Sequence, residues 1–402
     1  MPLPSHRRKP AERLLLKLTG TPTGPGLEHR VLAVVDAFLA KRPYLSSKSD
    51  RFGNRLIRFA GDTRAKPTVF TAHLDHPAFV LLDASAPDDA GRRTLTAEFR
   101  GGVADRFFPG SPVRFALTPR IAVPAEVIDI HRPEQPKSDP ANPDATREPA
   151  FPIATLTTDD ERAARLPPGC LGNWALPAAE LHEGRLMAPA CDDLAAVAAA
   201  LTALDALQPT DDQADPKPPN VAVLLTRAEE IGFIGAIAAC RSRLIPKGSP
   251  LVALENSKAS TDAPLGAGPI VRVGDRTSIF PPTLTEAAER AASELAKADE
   301  RFVYQRKLMS GGTCEATAFN ALGFPATCLC LPLANYHNMD EAAGQIGPES
   351  IAMADYHGFI RLLIAVAHAR LNAQAPPDGF VKLLDELYES RHPLLLAPAE
   401  DE

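Results

Sequence analysis

The sequence predicts an α/β fold in which a mostly parallel mixed sheet is sandwiched by helices and a small β-barrel is inserted. Two patterns support this prediction. After residue 187, continuous apolar runs of strand length alternate with helical runs, which is typical of a largely parallel sheet covered on both faces. Between residues 77 and 187, short strand-like runs are separated by Gly, Pro and Asp without a convincing helix, which favours a barrel.

The chain therefore divides into three ranges. Residues 1–76 form the first part of the α/β domain, 77–187 form the inserted β-barrel domain, and 188–402 form the second part. In the first part, periodicity predicts a helix over 29–42 and strands over 53–61 and 67–75. The strand-like runs of the insert are "FVLLDAS", "RTLTAEFRG", "SPVRFALT" and "IAVPAEVIDI".

A proline-rich segment interrupts the insert. Residues 131–169 combine proline with charge and contain few large apolar side chains, so they predict a long exposed loop.

The second part alternates helices and strands. The predicted helices cover 192–207, 234–244, 283–298, 314–322 and 349–372, and the predicted strands cover 220–226, 249–256, 301–307 and 325–333.

Composition excludes several classes of partner. Lys+Arg total 43 against 50 Asp+Glu, a net charge of −7, and no basic patch suits nucleic acid or an anionic membrane. No apolar run approaches the length of a membrane span, and the basic N-terminus is not followed by the apolar region of an export signal. We therefore expect a cytoplasmic protein. Six cysteines without a CxxC pair indicate reduced, buried thiols.

Acidic and histidine residues recur where the predicted strands end, which is where open α/β sheets gather functional groups. Taken singly, each has an ordinary structural interpretation: Asp192 and Asp193 could cap a helix, and His73 could be a core histidine. Together, they suit two divalent ions, because converging carboxylates in a dry site would otherwise repel one another. The set comprises His73, Asp75, Asp192, Asp193, Glu229, Glu230, Glu255 and His337.

The spacing of "HLDH" adds detail. A ligating histidine usually gives its second ring N–H to a carboxylate, and Asp75 is well placed to do this for His73. His76 follows so closely that we interpret it as a pocket wall or a structural residue.

The motifs "AHLDH", "APACDDLAAV", "RAEEIGFIGA", "VALENS" and "NYHNMDE" occur in an order that resembles the dinuclear metallo-aminopeptidases. The chain is most similar to the tetrahedral, glutamyl and deblocking aminopeptidases, metallopeptidase family 42 of clan MH. The resemblance covers roughly residues 25–370. It implies a zinc-exopeptidase-like fold and hydrolysis of the N-terminal peptide bond of peptides that have a free N-terminus. It also implies a homo-oligomer.

The resemblance also implies a role for each site residue. Two divalent metal ions per chain, zinc first and cobalt or manganese as alternatives, would share Asp192 as the bridging ligand. His73 and Glu255 would complete one metal site, and Glu230 and His337 would complete the other.

Three further residues have implied roles outside the ligand set. Glu229 would be the general base that takes a proton from water. Asp75 would be the partner of His73, and Asp193 would follow the bridging aspartate through a cis peptide bond. A donor from the turn "SGGT" could help to stabilise the oxyanion.

Four features depart from the family pattern. Glu255 stands where the family usually has aspartate, Leu194 where it has arginine, and Cys314-Glu315 where it has Asp-Ala. The proline-rich segment is the fourth. A carboxylate at Glu255 keeps ligation possible, whereas the other differences bear on substrate choice and assembly.

Two alternatives stay open. Another dinuclear amide hydrolase, such as a carboxypeptidase, dipeptidase or deacylase, would use similar ligands, but those enzymes usually carry an α/β lid after the glutamate pair. A non-catalytic homologue would usually lack a ligand or the base, and every such position here holds a competent residue.

Overall fold

The computed structural model describes residues 5–118, 120–134, 151–208, 217–369, 371 and 386–387. The helices in these residues are α1 (Ser5–Thr19), α2 (His29–Leu39), α3 (Leu194–Ala206), α4 (Ile234–Arg241), α5 (Pro282–Ala298), α6 (Glu315–Ala321) and α7 (Met353–His368). The first strands are β1 (Leu45–Ser49), β2 (Arg55–Phe59), β3 (Thr68–His73), β4 (Ala78–Ala84), β5 (Arg93–Arg100), β6 (Pro112–Ala116), β7 (Ala122–His131), β8 (Ile153–Thr158) and β9 (Leu171–Trp174). The remaining strands are β10 (Glu180–His182), β11 (Arg185–Ala188), β12 (Val221–Thr226), β13 (Leu251–Lys258), β14 (Ile270–Gly274), β15 (Gln305–Leu308), β16 (Ala326–Leu333), β17 (Met339–Asp340), β18 (Gln345–Ile346) and β19 (Glu349–Ala352).

The large sheet is mixed, as predicted. Its eight strands lie in the order β1-β2-β12-β3-β13-β16-β14-β15. The central strands β12, β3, β13 and β16 run parallel to one another, whereas β2 and β14 pair antiparallel with this central group. The carboxyl ends of the four central strands therefore meet at one edge of the sheet, which is where the predicted site residues lie.

Helices cover both faces of this sheet because its central strands are apolar on both sides. In β12, Val223 and Leu225 pack on the face covered by α1, α3 and α7, while Ala222 and Leu224 pack on the face covered by α4 and α6. Helix α3 is buried along nearly its whole length, from Leu194 to Leu204. A helix that is apolar all round suits this central position.

The insert forms a closed barrel, in the strand order β4-β5-β8-β7-β6-β9. Inward-facing aromatic side chains fill it, and Phe79 contacts Phe99 and Trp174 edge to face with ring centroids 4.9 and 4.8 Å apart. The prediction of an inserted small barrel is confirmed. We propose that 77–187 is the barrel domain and that 1–76 and 188–402 together form the α/β domain.

The prediction of a loop over residues 131–169 is wrong for part of that range. Strand β8 completes the barrel, and a short 3-10 helix follows at Glu161–Arg165. Alternate residues of β8 are buried, but their small and hydroxyl side chains give the run a low hydrophobicity, so its two-residue period is weak in the sequence. Residues 135–150 of the predicted loop lie outside the described residues.

Several other elements differ from prediction. The long helix expected over 349–372 begins only at Met353, because the buried run before it is β19, which pairs with β11. The strand expected over 301–307 begins at Gln305, and α1 was not predicted. No helix in the described part of the chain has the length and apolar character that crossing a bilayer requires.

Candidate metal centre

Five predicted ligands converge at the carboxyl edge of the sheet. His73 ends β3, Glu255 lies on β13, and Glu230 follows β12. Asp192 precedes α3, and His337 lies in the loop after β16. All five side chains are buried. The Glu230 side chain is 5% exposed, and the other four residues are each at most 7% exposed.

Asp192 lies between the two histidines. Its Oδ1 is 3.5 Å from Nε2 of His73, and its Oδ2 is 3.6 Å from Nε2 of His337. Oε1 of Glu230 is 3.1 Å from the same Nε2 atom of His337. The two carboxylate oxygens of Asp192 therefore face different imidazoles, which is the arrangement that a bridging ligand requires.

Two groups of possible metal ligands result. One comprises His73, Glu229 and Glu255, and the other comprises Asp192, Glu230 and His337, with the ligand atoms of each group within 4.8 Å of one another. Glu229, the predicted base, is thus a member of the first group, with its Oε2 4.0 Å from Nε2 of His73.

The residues present fit divalent cations. Oδ1 of Asp192, Oε1 of Glu230 and Oε1 of Glu255 are buried and have no hydrogen-bond donor. Buried carboxylate oxygens without a donor are unfavourable unless a cation neutralises them. Nitrogen and oxygen donors without thiolates suit zinc, cobalt or manganese.

The pKa values of the site show the same need for positive charge. Burial raises the pKa of Glu229 and Glu255 well above the usual carboxyl range, and repulsion from neighbouring anions raises both further. Burial lowers the pKa of His337, but Glu230 and Asp192 outweigh it, so that the pKa is raised overall. Cations at this position would remove the repulsion and keep the imidazoles neutral.

Asp75 acts on the glutamate pair as well as on His73. Its carboxylate oxygens accept hydrogen bonds from the backbone amides of Glu229 and Glu230, both at 3.0 Å. Nδ1 of His73 is 3.2 Å from the Asp75 carbonyl oxygen and 3.7 Å from its carboxylate. The predicted contact with His73 is therefore made by the backbone, and the carboxylate orients the turn that carries the two glutamates.

A second buried carboxylate holds the start of that turn. Glu28 is fully buried and accepts hydrogen bonds from the Ala228 amide at 3.0 Å and from Nε of Arg227 at 2.7 Å. Ala228 has a φ of +53°, so strand alternation ends there. This break lets two adjacent glutamates reach the same site.

Glu349 also supports the site, and this role was not predicted from the sequence. One of its oxygens accepts the backbone amides of Cys191 and Asp192 at 2.6 and 3.0 Å, and the other accepts the amide of His337 at 2.8 Å. It thereby fixes the backbone of two candidate ligands. Its only signal is an acid at the start of a buried run, "ESIA", and that pattern does not indicate what the acid contacts.

Two residues next to the ligands are also placed by hydrogen bonds. The peptide bond between Asp192 and Asp193 is cis, as the resemblance implied. The Asp193 carboxylate accepts hydrogen bonds from the His73 amide at 3.3 Å and from Nδ2 of Asn256 at 2.8 Å. Nδ1 of His76 lies 2.6 Å from the Asp192 carbonyl oxygen, which agrees with a structural role.

A cleft of about 530 Å³ opens beside Glu255. Ser310 to Thr313, the "SGGT" turn, form part of its lining, as does Tyr336, whose ring stacks on His337 at 3.8 Å between centroids. Glu315, one of the departures from the family pattern, is buried below the site, where burial raises its pKa to about 7. The cleft therefore borders Glu255, a member of the first metal-ligand group.

Comparison with known families decides the assignment. The family model "M42 glutamyl aminopeptidase" matches residues 53–346. This chain belongs to the M42 glutamyl aminopeptidase family. It is therefore a metal-dependent exopeptidase, a hydrolase that acts on peptide bonds. No curated protein matches the sequence.

Solved structures share the M42 fold of this chain. A TET aminopeptidase from a marine sediment archaeon of the Thaumarchaeota is 21% identical with a TM-score of 0.68, over 90% of this chain and 97% of that one. The Pyrococcus horikoshii TET1 peptidase, which can assemble into a tetrahedron or a large octahedral shell, is 19% identical with a TM-score of 0.67, over 89% and 99%. An M18-family aminopeptidase from Thermotoga maritima is 14% identical with a TM-score of 0.62, over 91% and 97%.

Proposed function

We propose that this M42 peptidase is a dinuclear aminopeptidase that removes residues from the free N-terminus of peptides. The observation that supports this most directly is the position of Asp192, whose two oxygens face His73 on one side and His337 on the other. His73 and Glu255 would hold one divalent ion, Glu230 and His337 would hold the second, and Asp192 would bridge them. Zinc is the proposed metal, with cobalt or manganese as substitutes.

If these residues hold two divalent ions, the ions would supply Lewis acidity towards a water molecule and towards the scissile carbonyl. Glu229 takes the proton from that water on its carboxylate and delivers it to the nitrogen of the leaving amine. Its adjacency to Glu230 is useful because one turn, held by Asp75 and Glu28, presents a base and a ligand together. The cleft beside Glu255 receives the peptide.

Substrate comparison tests the proposal. The purified protein is stripped with a chelator, reloaded with zinc, cobalt or manganese, and assayed on aminoacyl-anilides, on peptides with blocked N-termini and on N-acyl amino acids. We expect activity only after reloading and only on substrates with a free α-amino group. Hydrolysis of N-acyl amino acids or of blocked peptides instead would favour a deacylase or a carboxypeptidase.

Assembly and location are also proposals. Because the TET1 peptidase of similar fold can form a tetrahedron or an octahedral shell, we propose that this chain forms a homo-oligomer in the cytoplasm. Light scattering of the purified protein gives the mass, and a monomer at micromolar concentration would contradict the proposal.

A further inference from the structure

A second cavity, of about 340 Å³, lies next to the metal centre. One side is the loop after α1, which includes Thr21 and Thr23, and another is the outer wall of the barrel at β6 and β9. His76 and Asn338 form part of its lining. The cavity is separate from the cleft beside Glu255, because the two have no lining residue in common.

The charge of this cavity is entirely positive. Arg30, Arg114 and Arg120 line it, and no aspartate or glutamate does. Within the described part of the chain, none of the three guanidinium groups makes a hydrogen bond or an ion pair. Arginines elsewhere in the barrel are paired, for example Arg100 with Glu98 at 2.9 Å. Arg30 is half-buried and Arg114 and Arg120 are exposed, so all three guanidinium groups are accessible to an anion from solution, which opposite charge would attract.

The position of Arg114 is fixed by the barrel. Arg114 lies directly opposite Asn173 in the register of β6 and β9, while their neighbours Val113 and Trp174 are buried in the barrel. Nδ2 of Asn173 donates to the carbonyl oxygen of Thr23 at 2.8 Å, which ties the loop after α1 to this wall. The cavity is therefore formed by two segments that are hydrogen-bonded to each other.

Much of the remaining lining is apolar, although Thr21, Thr118 and Asn338 also belong to it. The apolar part includes four prolines and four alanines, with Pro22, Pro77, Pro177 and Ala190 among them. The volume is at the small end of the range for small-molecule sites, about 300–1,000 Å³. A ligand that fits both features has a compact apolar body and one anionic end.

We propose that this cavity binds a small organic anion, with an apolar group the size of one aromatic amino acid and a terminal carboxylate or phosphate. Arg30, Arg114 and Arg120 hold the anionic end, and the proline-rich wall contacts the body. His76 connects the cavity to the metal centre, since it lines the cavity and its Nδ1 lies 2.6 Å from the Asp192 carbonyl oxygen. The proposal does not depend on the proposed peptidase function.

The single tryptophan of the chain makes a direct test possible. Trp174 is the only tryptophan; the residue borders the cavity, and its ring packs in the barrel core directly behind that wall. Tryptophan emission of the full-length protein is titrated with N-acetylphenylalanine, with phenyl phosphate and with inorganic phosphate. The neutral N-acetylphenylalaninamide is the matched control. We expect a saturable change with at least one of the two organic anions, and the tighter one identifies the head group.

Variants separate this cavity from the active site. We expect Arg30→Gln and Arg114→Gln each to weaken binding about tenfold, because each removes a charged contact. Arg92→Gln, at an exposed position of the β4–β5 hairpin, should bind like the parent. All three should keep the parent activity on an aminoacyl-anilide. Equal binding of the neutral amide, an unchanged affinity in both cavity variants, or no saturable change with either organic anion would overturn the proposal.

Discussion

Nδ1 of His337 lies 2.6 Å from the carbonyl oxygen of Gly102, so a loop of the inserted barrel contacts the metal centre directly. With its Nδ1–H donated to this carbonyl, the ring presents Nε2 to Asp192 and Glu230. The barrel therefore contributes to the geometry of the site as well as to the shape of the molecule.

This contact predicts that Gly101→Ala weakens metal binding. Gly101 has a φ of +135°, and an added Cβ would lie 2.6 Å from Cβ of Pro77, so the loop must shift and carry the Gly102 carbonyl with it. We expect metal affinity to fall by about 10- to 100-fold, as is typical when the partner of a ligating histidine is lost. Competition with a chromogenic chelator measures it. Gly102→Ala is the matched control, because its Cβ would make an ordinary contact at 3.6 Å with Nδ1 of His337. Equal affinities in the two variants would contradict the prediction.

Replacing Glu349 by Gln should destabilise the protein. In the variant, the side-chain NH₂ group replaces one carboxylate oxygen and faces a backbone N–H group instead of accepting from it. That N–H group belongs either to His337 or to Cys191 and Asp192, and it loses its acceptor. Leaving a buried donor unpaired lowers the free energy of unfolding by about 1–3 kcal/mol. Urea denaturation of the metal-free protein measures this change. Glu341→Gln, at a half-exposed position nearby, should change it by less than about 1 kcal/mol. A similar effect of both substitutions would argue against the role of Glu349.

Glu229→Gln should abolish most hydrolysis without loss of metal. The side chain keeps its size, but its amide cannot accept a proton, and we expect kcat to fall by at least about 10²- to 10⁴-fold. Metal content is determined on the same sample, and it should equal that of the parent. Parent-like kcat in a fully metal-loaded variant would exclude Glu229 as the base.

Asp275 should make stability depend on acid pH. Burial raises the pKa of its carboxyl, but hydrogen bonds from Thr317 and from the amides of Cys314, Ser278 and Thr277 outweigh this and hold the pKa below 3.8. A carboxyl with a lowered pKa in the folded state stabilises the protein above its unfolded pKa, and this stabilisation is lost as the pH falls through the folded pKa. Asp275→Asn should therefore lose more stability at pH 7 than at pH 3, by urea denaturation of the metal-free protein. An equal loss at both pH values would contradict the prediction.

The candidate site residues could be predicted because strand ends are visible in the sequence, whereas their roles as ligands are implied by the family resemblance. His73, Glu230 and Glu255 each lie at or just beyond the end of an apolar run, and parallel strands bring such ends together. Asp75 was predicted as a partner of His73, and the structure adds that its carboxylate holds the turn of the glutamate pair.

The contacts that hold the candidate ligands in place could not be predicted from the sequence. Glu349 and Asp192 are 157 positions apart, and His337 and Gly102 are 235 apart. These contacts use backbone amides and carbonyls, which every residue has, so no side-chain pattern marks them. Strand β8 was missed for a different reason, since its small and hydroxyl side chains give little hydrophobic contrast.

The central claim is that two divalent ions share Asp192. Anomalous diffraction from crystals of the zinc-loaded protein, recorded on both sides of the zinc edge, tests it most directly. The account predicts two zinc peaks in each chain, one bordered by His73 and Glu255, the other by Glu230 and His337, with Asp192 between them. A single peak, or peaks away from these five residues, would contradict it.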